Sequence, residues 1–408
     1  MGVALPKPVM TKLLERQGNE IFRIGSCCVN GYRESMEDAH IVELRKDWGF
    51  FGVFDGHVND QCSIYLEAAW HKVMAANPVP MTDEKMKEIA LKIDKEWLDE
   101  GREGGSTGTF FVAMKKGDTV ELQVGNVGDS RVLLCKKGAC VPMTEDHKPS
   151  NPEERQRIID CGGRVENCRV DGSLAVSRAF GDRDYKQGNG DQLQQKVIAL
   201  ADVTHESITF ASGDFAALCC DGVFESNFSN EEVIEFIKAE LRNSSDLAIV
   251  ASKVCEEAIA RGSRDNISCV IVQFNDGSDY GALPEHLDVV PGPFNAPKNN
   301  SFRKVYASMA LKGNTTVDRL LEKRYDQLQK EDRSDPALRD ELDIFGEGPP
   351  STATGADRTR WFESLYTDLN GSARGDQSEQ MQRLQLLQQQ VGVPLPILLS
   401  LMNNGNDV

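Results

Sequence analysis

Between residues 21 and 275, short apolar runs alternate with turn signals, and two later segments switch to helical spacing. The runs WGFFGVFD, GTFFVAMKKGDTVELQVGNVGDSRVLLCKKGACV, DFAALCCD and NISCVIVQF are rich in Val, Phe and Ile and are bounded by Gly and Asp, as strands are. Within the second, KKGD and VGDS have the composition of hairpin turns, which predicts antiparallel pairing of the flanking strands. EEVIEFIKAEL and LAIVASKVCEEAIARG carry apolar residues three and four apart and follow the N-cap candidates Ser229-Asn230 and Ser245-Asp246. This predicts helices late in the domain and two packed sheets covered by helices. A doubly wound parallel sheet fits less well, because hairpin-connected strands pair antiparallel.

The pattern changes after Asp276. DGSDYGALPEHLDVVPGPFNAPKNNS has the Pro, Gly and Asn content of a linker or wrapping loop, and TVDRLLEKRYDQLQKEDR, PALRDELDIF and SEQMQRLQLLQQQ beyond it are charged or Gln-rich helix formers. The expected division is an N-terminal arm at 1–20, a catalytic domain at 21–276, and a linker with a helical extension at 277–408. No internal repeat is evident. No run is long enough to span a bilayer, the late apolar stretch VGVPLPILLSLM being broken by Pro394 and Pro396.

Sixty-four acidic residues against 46 basic ones give a formal charge of −18, which repels nucleic acid and anionic lipid and attracts divalent cations. Eleven cysteines without a CxxC spacing, several inside apolar runs, point to reduced core thiols in an intracellular protein. MGVALPKPVM lacks the apolar core and cleavage site of a secretory signal. Gly2 is a candidate for myristoylation, with Pro6 standing where the consensus has Ser or Thr.

Asp55 and Asp221 sit at the C-terminal edges of apolar runs, and Asp129 and Asp265 sit beside such runs. Glu37 and Asp38 lie in GYRESMEDAH. Each acid alone reads as a turn residue; gathered at one end of a sheet, they would repel one another and call for a hard cation such as Mg²⁺ or Mn²⁺. Two such ions about 3.5–4 Å apart, bridged by a carboxylate and a water, would supply hydroxide and polarise a phosphoryl oxygen. Arg33 has the fork geometry to hold that phosphoryl group. His57 has the proton affinity of a donor to the leaving alkoxide, or is a turn histidine facing water.

The ordered set GYRESMEDAH, VFDGH, GGSTGT, NVGDSRVLL, TEDHKPSNPEERQRIIDCGGRV, VDGSLAVSRAFGDRDYK, CCDGVFE and GSRDNISCVIV closely resembles the metal-dependent, type 2C protein serine/threonine phosphatases over residues 20–275. The resemblance implies an α+β fold, a four-layer α-β-β-α sandwich of two mainly antiparallel sheets flanked by helices, here with a helical C-terminal appendage. It implies hydrolysis of phosphoserine and phosphothreonine esters by a hydroxide bridging two metal ions. Asp55 would bridge the ions, Gly56 would offer its carbonyl oxygen, and Asp221 and Asp265 would complete the direct ligands. Glu37 and Asp38 would act through bound waters, Arg33 would hold the phosphate, His57 would be the acid, and Asp129 would serve a weaker third ion. Residues 165–195 correspond to a flap beside the active site. DGHVN replaces the family's DGHAG or DGHGG, and DGVFE replaces DG(I/V)WD; neither removes an expected ligand.

A scaffold without turnover and a hydrolase of small phosphate esters or nucleic acid are the competing classes. Retention of Asp55, Asp221, Asp265, Arg33 and His57 argues against the first, and the negative charge argues against nucleic acid. The expectation is a monomer acting on phosphoproteins in the cytoplasm, with the nucleus, or a membrane surface reached through Gly2, as further locations.

Overall fold

The computed structural model describes residues 4–188 and 191–370. The chain runs first through β1 (Val9–Gly18), β2 (Phe22–Gly31), β3 (Ala39–Leu44) and β4 (Trp48–Phe54). The short β5 (Gly56–His57) leads into helices α1 (Gln61–Ala76) and α2 (Asp83–Asp99). Then come β6 (Gly105–Ser106), β7 (Gly108–Lys116), β8 (Thr119–Val127), β9 (Arg131–Lys136) and β10 (Ala139–Pro142). Helix α3 (Pro152–Asp160) precedes three two-residue strands, β11 (Val165–Glu166), β12 (Arg169–Val170) and β13 (Phe180–Gly181). β14 (Asp202–Thr209), β15 (Phe215–Cys219), α4 (Asn230–Leu241), α5 (Leu247–Ala260), β16 (Ile267–Phe274) and β17 (Leu283–Val290) follow. The described chain ends in α6 (Asn300–Lys312), α7 (Val317–Leu328), α8 (Arg339–Phe345) and α9 (Gly355–Asn370).

Two sheets carry the fold. One has seven strands in the order β10-β9-β15-β16-β2-β1-β17, the other five in the order β14-β8-β7-β4-β3, and neighbours pair antiparallel throughout. Phe22, Ile24, Phe51, Val53, Phe111, Leu134, Leu218 and Val270 fill the space between them. Outside the five-stranded sheet, Phe50, Phe54 and Phe110 pack against Trp70 of α1 and Trp97 of α2. Outside the seven-stranded sheet, Cys27, Ala217 and Ile271 pack against Ile237 of α4 and Val250 and Val254 of α5. This is the expected four-layer α-β-β-α sandwich. The unbroken run FFGVF follows from it, because β4 is covered on both faces: Phe50 and Phe54 meet helices while Phe51 and Val53 meet the other sheet.

Helices α4 and α5 begin where the caps predict. Ser229 and Glu232 form a reciprocal capping box, and the Asp246 carboxylate accepts the Ala248 N–H at 3.0 Å. Helices also occur early: α1 and α2 fill the interval before β6. Helix α2 has a capping Thr82 and buries Met86, Ile89, Ala90, Ile93 and Trp97 at helical spacing, whereas α1 has no side-chain cap.

The turn KKGD joins β7 to β8 as a tight hairpin, with Lys116 opposite Thr119. VGDS makes no hairpin. β8 belongs to the five-stranded sheet and β9 to the seven-stranded one, so Gly128–Ser130 carries the chain from one sheet to the other. Its composition is that of a turn, but β9 pairs with β10 and with β15, some eighty residues away, and not with β8.

The expected arm and linker both contribute strands. Val9–Gly18 is β1, and the segment after 276 supplies β17, which pairs with β1 at the sheet edge. Helices α6–α9 cover this edge: Phe302, Val305, Met309, Leu320, Phe345 and Phe362 share a core with Val9, Leu13 and Val289. Arg324 is held there by Glu341 in a buried two-point pair at 2.8 and 2.7 Å, and Glu341 also accepts the Phe294 N–H at 3.0 Å. No helix among the described residues is long and apolar enough to cross a membrane. Gly2, the helix former at 378–390 and the apolar run at 391–402 lie outside the described residues.

A chain ended after residue 276 should therefore lose stability, because Val9 and Leu13 become exposed along with the β1 edge. Uncovering those two side chains alone costs on the order of 3 kcal/mol. Thermal melting checks this against the full chain; an unchanged midpoint would mean that the helical extension contributes nothing to the sandwich.

Candidate metal centre

Acids from widely separated segments meet at one end of the sandwich. Asp55 follows the last residue of β4, and Asp221 starts a single 3-10 turn after β15. Asp265 stands just before β16, while Arg33, Glu37 and Asp38 lie on the β2–β3 loop. Asn266 ties these last two segments together. Its side-chain amide donates to the carbonyls of Asn30 and Ser35, both at 2.9 Å, and its Oδ1 accepts the Glu37 N–H at 2.9 Å. The Asp55 backbone is fixed by Thr107, whose N–H donates to the Asp55 carbonyl at 2.9 Å and whose Oγ1 accepts the Asp55 N–H at 3.2 Å. Gly56 packs under the same loop: a Cβ there would stand 2.4 Å from the Glu37 carbonyl oxygen.

The carboxylates perturb one another. Burial and the charges of Asp221, Asp38 and Asp265 push the Asp55 carboxyl well above the ordinary range. Asp221 is raised in the same way by burial, Asp129 and Asp265. Asp38 is pushed up to about 6 by burial, opposed by the Ser268 hydroxyl that donates to its Oδ2 at 2.6 Å, with Asp265 adding to the rise. Its other oxygen, Oδ1, is buried and has no hydrogen-bond partner among the described residues. Glu37 and Glu225 are raised too, first by burial.

One ligand oxygen each from Asp221, Glu225 and Asp265 can be chosen so that all lie within 4.8 Å of one another. An all-oxygen donor set, crowded with negative charge and holding an open carboxylate oxygen, suits a hard divalent cation. Asp55, the expected bridge, is not one of those three, but the charges of Asp221 and Asp265 are among the causes that raise its carboxyl, and Asp265 acts on Asp38 in the same way.

Three expected residues have protein partners that the sequence did not announce. Arg33 grips Asp265 by a fork, Nε to Oδ1 at 2.5 Å and Nη2 to Oδ2 at 3.1 Å. Asp129, brought to this end by the sheet-to-sheet crossing, is ion-paired with Lys148. His57 Nε2 faces both oxygens of Asp182 at 2.8 and 2.7 Å. Burial, the largest single cause, lowers the His57 pKa, but the charge and hydrogen bond of Asp182 together with the charges of Asp129 and Glu37 outweigh it and the net shift is upward. Asp182, Lys148 and Glu225 are thus site residues absent from the expected set. Glu225 had a legible signal, the acid four positions after Asp221 in DGVFE.

The chain is similar to known proteins over most of its length. Residues 22–267 match the family model for protein phosphatase 2C. Mouse protein phosphatase 1B is 31% identical over 399 residues, covering 91% of this chain and 95% of that protein. Cattle protein phosphatase 1A is also 31% identical, over 91% of this chain and 96% of that protein. Among solved structures, a phosphatase from Toxoplasma gondii superposes with a TM-score of 0.62 at 27% identity, covering 68% of this chain and 99% of that one.

The raised carboxyls make stability depend on pH with a definite sign. A group with a raised folded-state pKa favours the folded state below its unfolded value, and that advantage is lost as pH rises through the folded value. For Asp38 the window runs from 3.8 to about 6, and Asp55, Asp221 and His57 act in the same direction. Metal-free protein should therefore melt higher at pH 5 than at pH 7.5, by on the order of 2 kcal/mol. Adding Mg²⁺ or Mn²⁺ at pH 7.5 should recover most of the difference. A melting point that falls on acidification would contradict the assignment of these groups.

Proposed function

The chain belongs to the protein phosphatase 2C family, and from that premise we propose how the gathered residues divide the work. The enzyme is a metal-dependent serine/threonine protein phosphatase. What carries the site assignment is the convergence of Asp55, Asp221 and Asp265 from three distant segments beside the open oxygen of Asp38.

Asp55, Asp221, Asp265 and the Gly56 carbonyl would hold two divalent ions directly, with Glu37 and Asp38 acting through water. Bound there, the ions would make water nucleophilic near neutral pH and take up charge on the phosphoryl oxygens. Asp129 would belong to a weaker third position, in competition with Lys148; Asp221 and Glu225 would serve it as well.

The remaining steps belong to side chains of this protein. The Arg33 fork to Asp265 uses Nε and Nη2; Nη1 has no protein partner among the described residues, and the side chain is 42% exposed. Arg33 can therefore reach a phosphoryl oxygen while Asp265 holds its other edge. His57, kept protonated by its neighbourhood, would pass a proton to the departing Ser or Thr oxygen, which leaves poorly as a bare alkoxide. A negative surface overall suits phosphoprotein substrates better than nucleic acid.

Phosphate release from a phosphothreonine peptide, titrated with Mn²⁺ and Mg²⁺ beside a chelator control, tests the assignment. Asp55→Asn and Asp221→Asn should each reduce kcat by about 10³-fold without lowering the melting point, since each removes a ligand and relieves like-charge repulsion. Arg33→Ala should act chiefly on KM. Full turnover in either Asp variant would remove those residues from the metal centre.

A further inference from the structure

The proton donor sits in a small framework of its own. β5, which contains His57, pairs with β6, and β6 pairs with β13, so that His57 and Gly181 both stand opposite Gly105. Asp182 follows Gly181, its N–H donating to the Gly104 carbonyl at 3.0 Å. Its backbone is left-handed, φ 54° and ψ 51°, a conformation Asp tolerates better than most side chains. That geometry turns the carboxylate toward His57 Nε2, where both oxygens lie within hydrogen-bond distance and Asp182 is only 8% exposed.

Gly105 makes the contact possible. A Cβ at this position would fall 2.5 Å from Asp182 Cγ and Oδ2 and 2.5 Å from His57 Nε2. The motif GGSTGT thus supplies a strand without a side chain where imidazole and carboxylate must meet.

The other side of Asp182 is anchored to α2. Asp94 Oδ1 accepts the Gly181 N–H at 2.7 Å and pairs with Lys186 Nζ at 2.7 Å, both side chains being almost fully buried. Lys186 Nζ also donates to the Ala179 carbonyl at 2.7 Å. The segment Ala179–Lys186 is therefore pinned before, at and after Asp182. Such a buried pair leaves little freedom in what it holds.

We propose that Asp182 is the positioning residue for His57, fixing the ring with Nε2 toward the carboxylate and leaving Nδ1 to deliver the proton to the leaving oxygen. This rests on the reading of His57 as the donor. The Nδ1–H bond breaks and an O–H bond forms on the departing alcohol, while Nε2 keeps its own proton in the hydrogen bond to the Asp182 carboxylate. Nδ1 has no hydrogen-bond partner among the described residues, as a donor to substrate requires. Among the described residues the Asp182 carboxylate is hydrogen-bonded to His57, through which it acts.

Leaving groups of different basicity separate this role from a structural one. With the metal-loaded full chain, Asp182→Asn should lower kcat on a phosphothreonine peptide by about 10²-fold, while hydrolysis of p-nitrophenyl phosphate, whose leaving group needs no proton, changes by less than about 3-fold. His57→Ala should discriminate in the same way, and the double variant should be no worse than His57→Ala. Equal loss of both activities in Asp182→Asn, or no loss, would overturn the proposal while leaving His57 as the donor. A His57→Ala enzyme without leaving-group dependence would remove the donor reading and this proposal with it. Ring ¹⁵N signals of metal-free wild type give a readout independent of turnover and of how the variants fold: His57 Nε2 should carry a proton. Its absence would overturn the proposal.

Discussion

Crowded negative charge at one end of a β-sandwich is the constraint around which the rest is arranged. Asp38, Asp55 and Asp221 have raised proton affinities, first because burial removes the water that would stabilise their charge and then because neighbouring carboxylates, Asp265 among them, repel it. Left to themselves such groups would separate, and the protein restrains them. Asn266 ties the loop of Glu37 and Asp38 to the segment of Asp265, Ser268 holds one oxygen of Asp38, and Thr107 fixes the backbone of Asp55. Two cationic side chains at the cluster are each paired with one acid, Arg33 with Asp265 and Lys148 with Asp129. What is left uncompensated is the part that a divalent cation satisfies.

The sandwich is well suited to imposing that cost. β4 is covered on both faces and belongs to one sheet; β15 and β16 lie in the other and are paired residue by residue from Phe215–Gln273 to Cys219–Cys269. Strand ends held this way cannot drift apart without breaking ladder hydrogen bonds and opening the core between the sheets. The crossing at Gly128–Ser130 uses the same rigidity. A chain passing from β8 in one sheet to β9 in the other must cover the sandwich end, and doing so brings Asp129 beside Asp221.

Much of this was legible along the chain because it is local. Asp55 and Asp221 stand where apolar runs stop, Ser229 and Asp246 cap the helices they precede, and a run such as FFGVF announces a strand with no solvent face. Other features escaped because their meaning is non-local. VGDS has the composition of a hairpin turn, and only the pairing of β9 with β15 makes it a crossing. Helix α1 is apolar over much of its circumference and lacks a side-chain cap, so neither periodicity nor punctuation marks it. Asp182 is one of two acids in GDRDYK until β5, β6 and β13 bring it to His57 across 125 positions of chain. Edge pairing between β1 and β17 is longer in range still, and composition could not distinguish such a strand from a linker.

That edge bears on the catalytic end. Met309 and Val305 of α6 share a core with Leu13 of β1, and Lys312, the last residue of α6, reaches Asp60 with Nζ 3.3 Å from Oδ2. Asp60 is the N-cap position of α1, three residues after His57. One turn further on, Ser63 Oγ donates to the Glu37 carbonyl at 2.5 Å. The start of α1 therefore stands between the helical extension and the loop that carries Arg33, Glu37 and Asp38. Because α1 is also packed on the five-stranded sheet through Trp70 and Leu66, a displacement of α6 would have to be absorbed at this helix start. Its two side-chain contacts, at Asp60 and Ser63, are less costly to rearrange than the sheet core. The extension is thus joined to the β2–β3 loop through its packing on β1 and the two polar contacts at the start of α1.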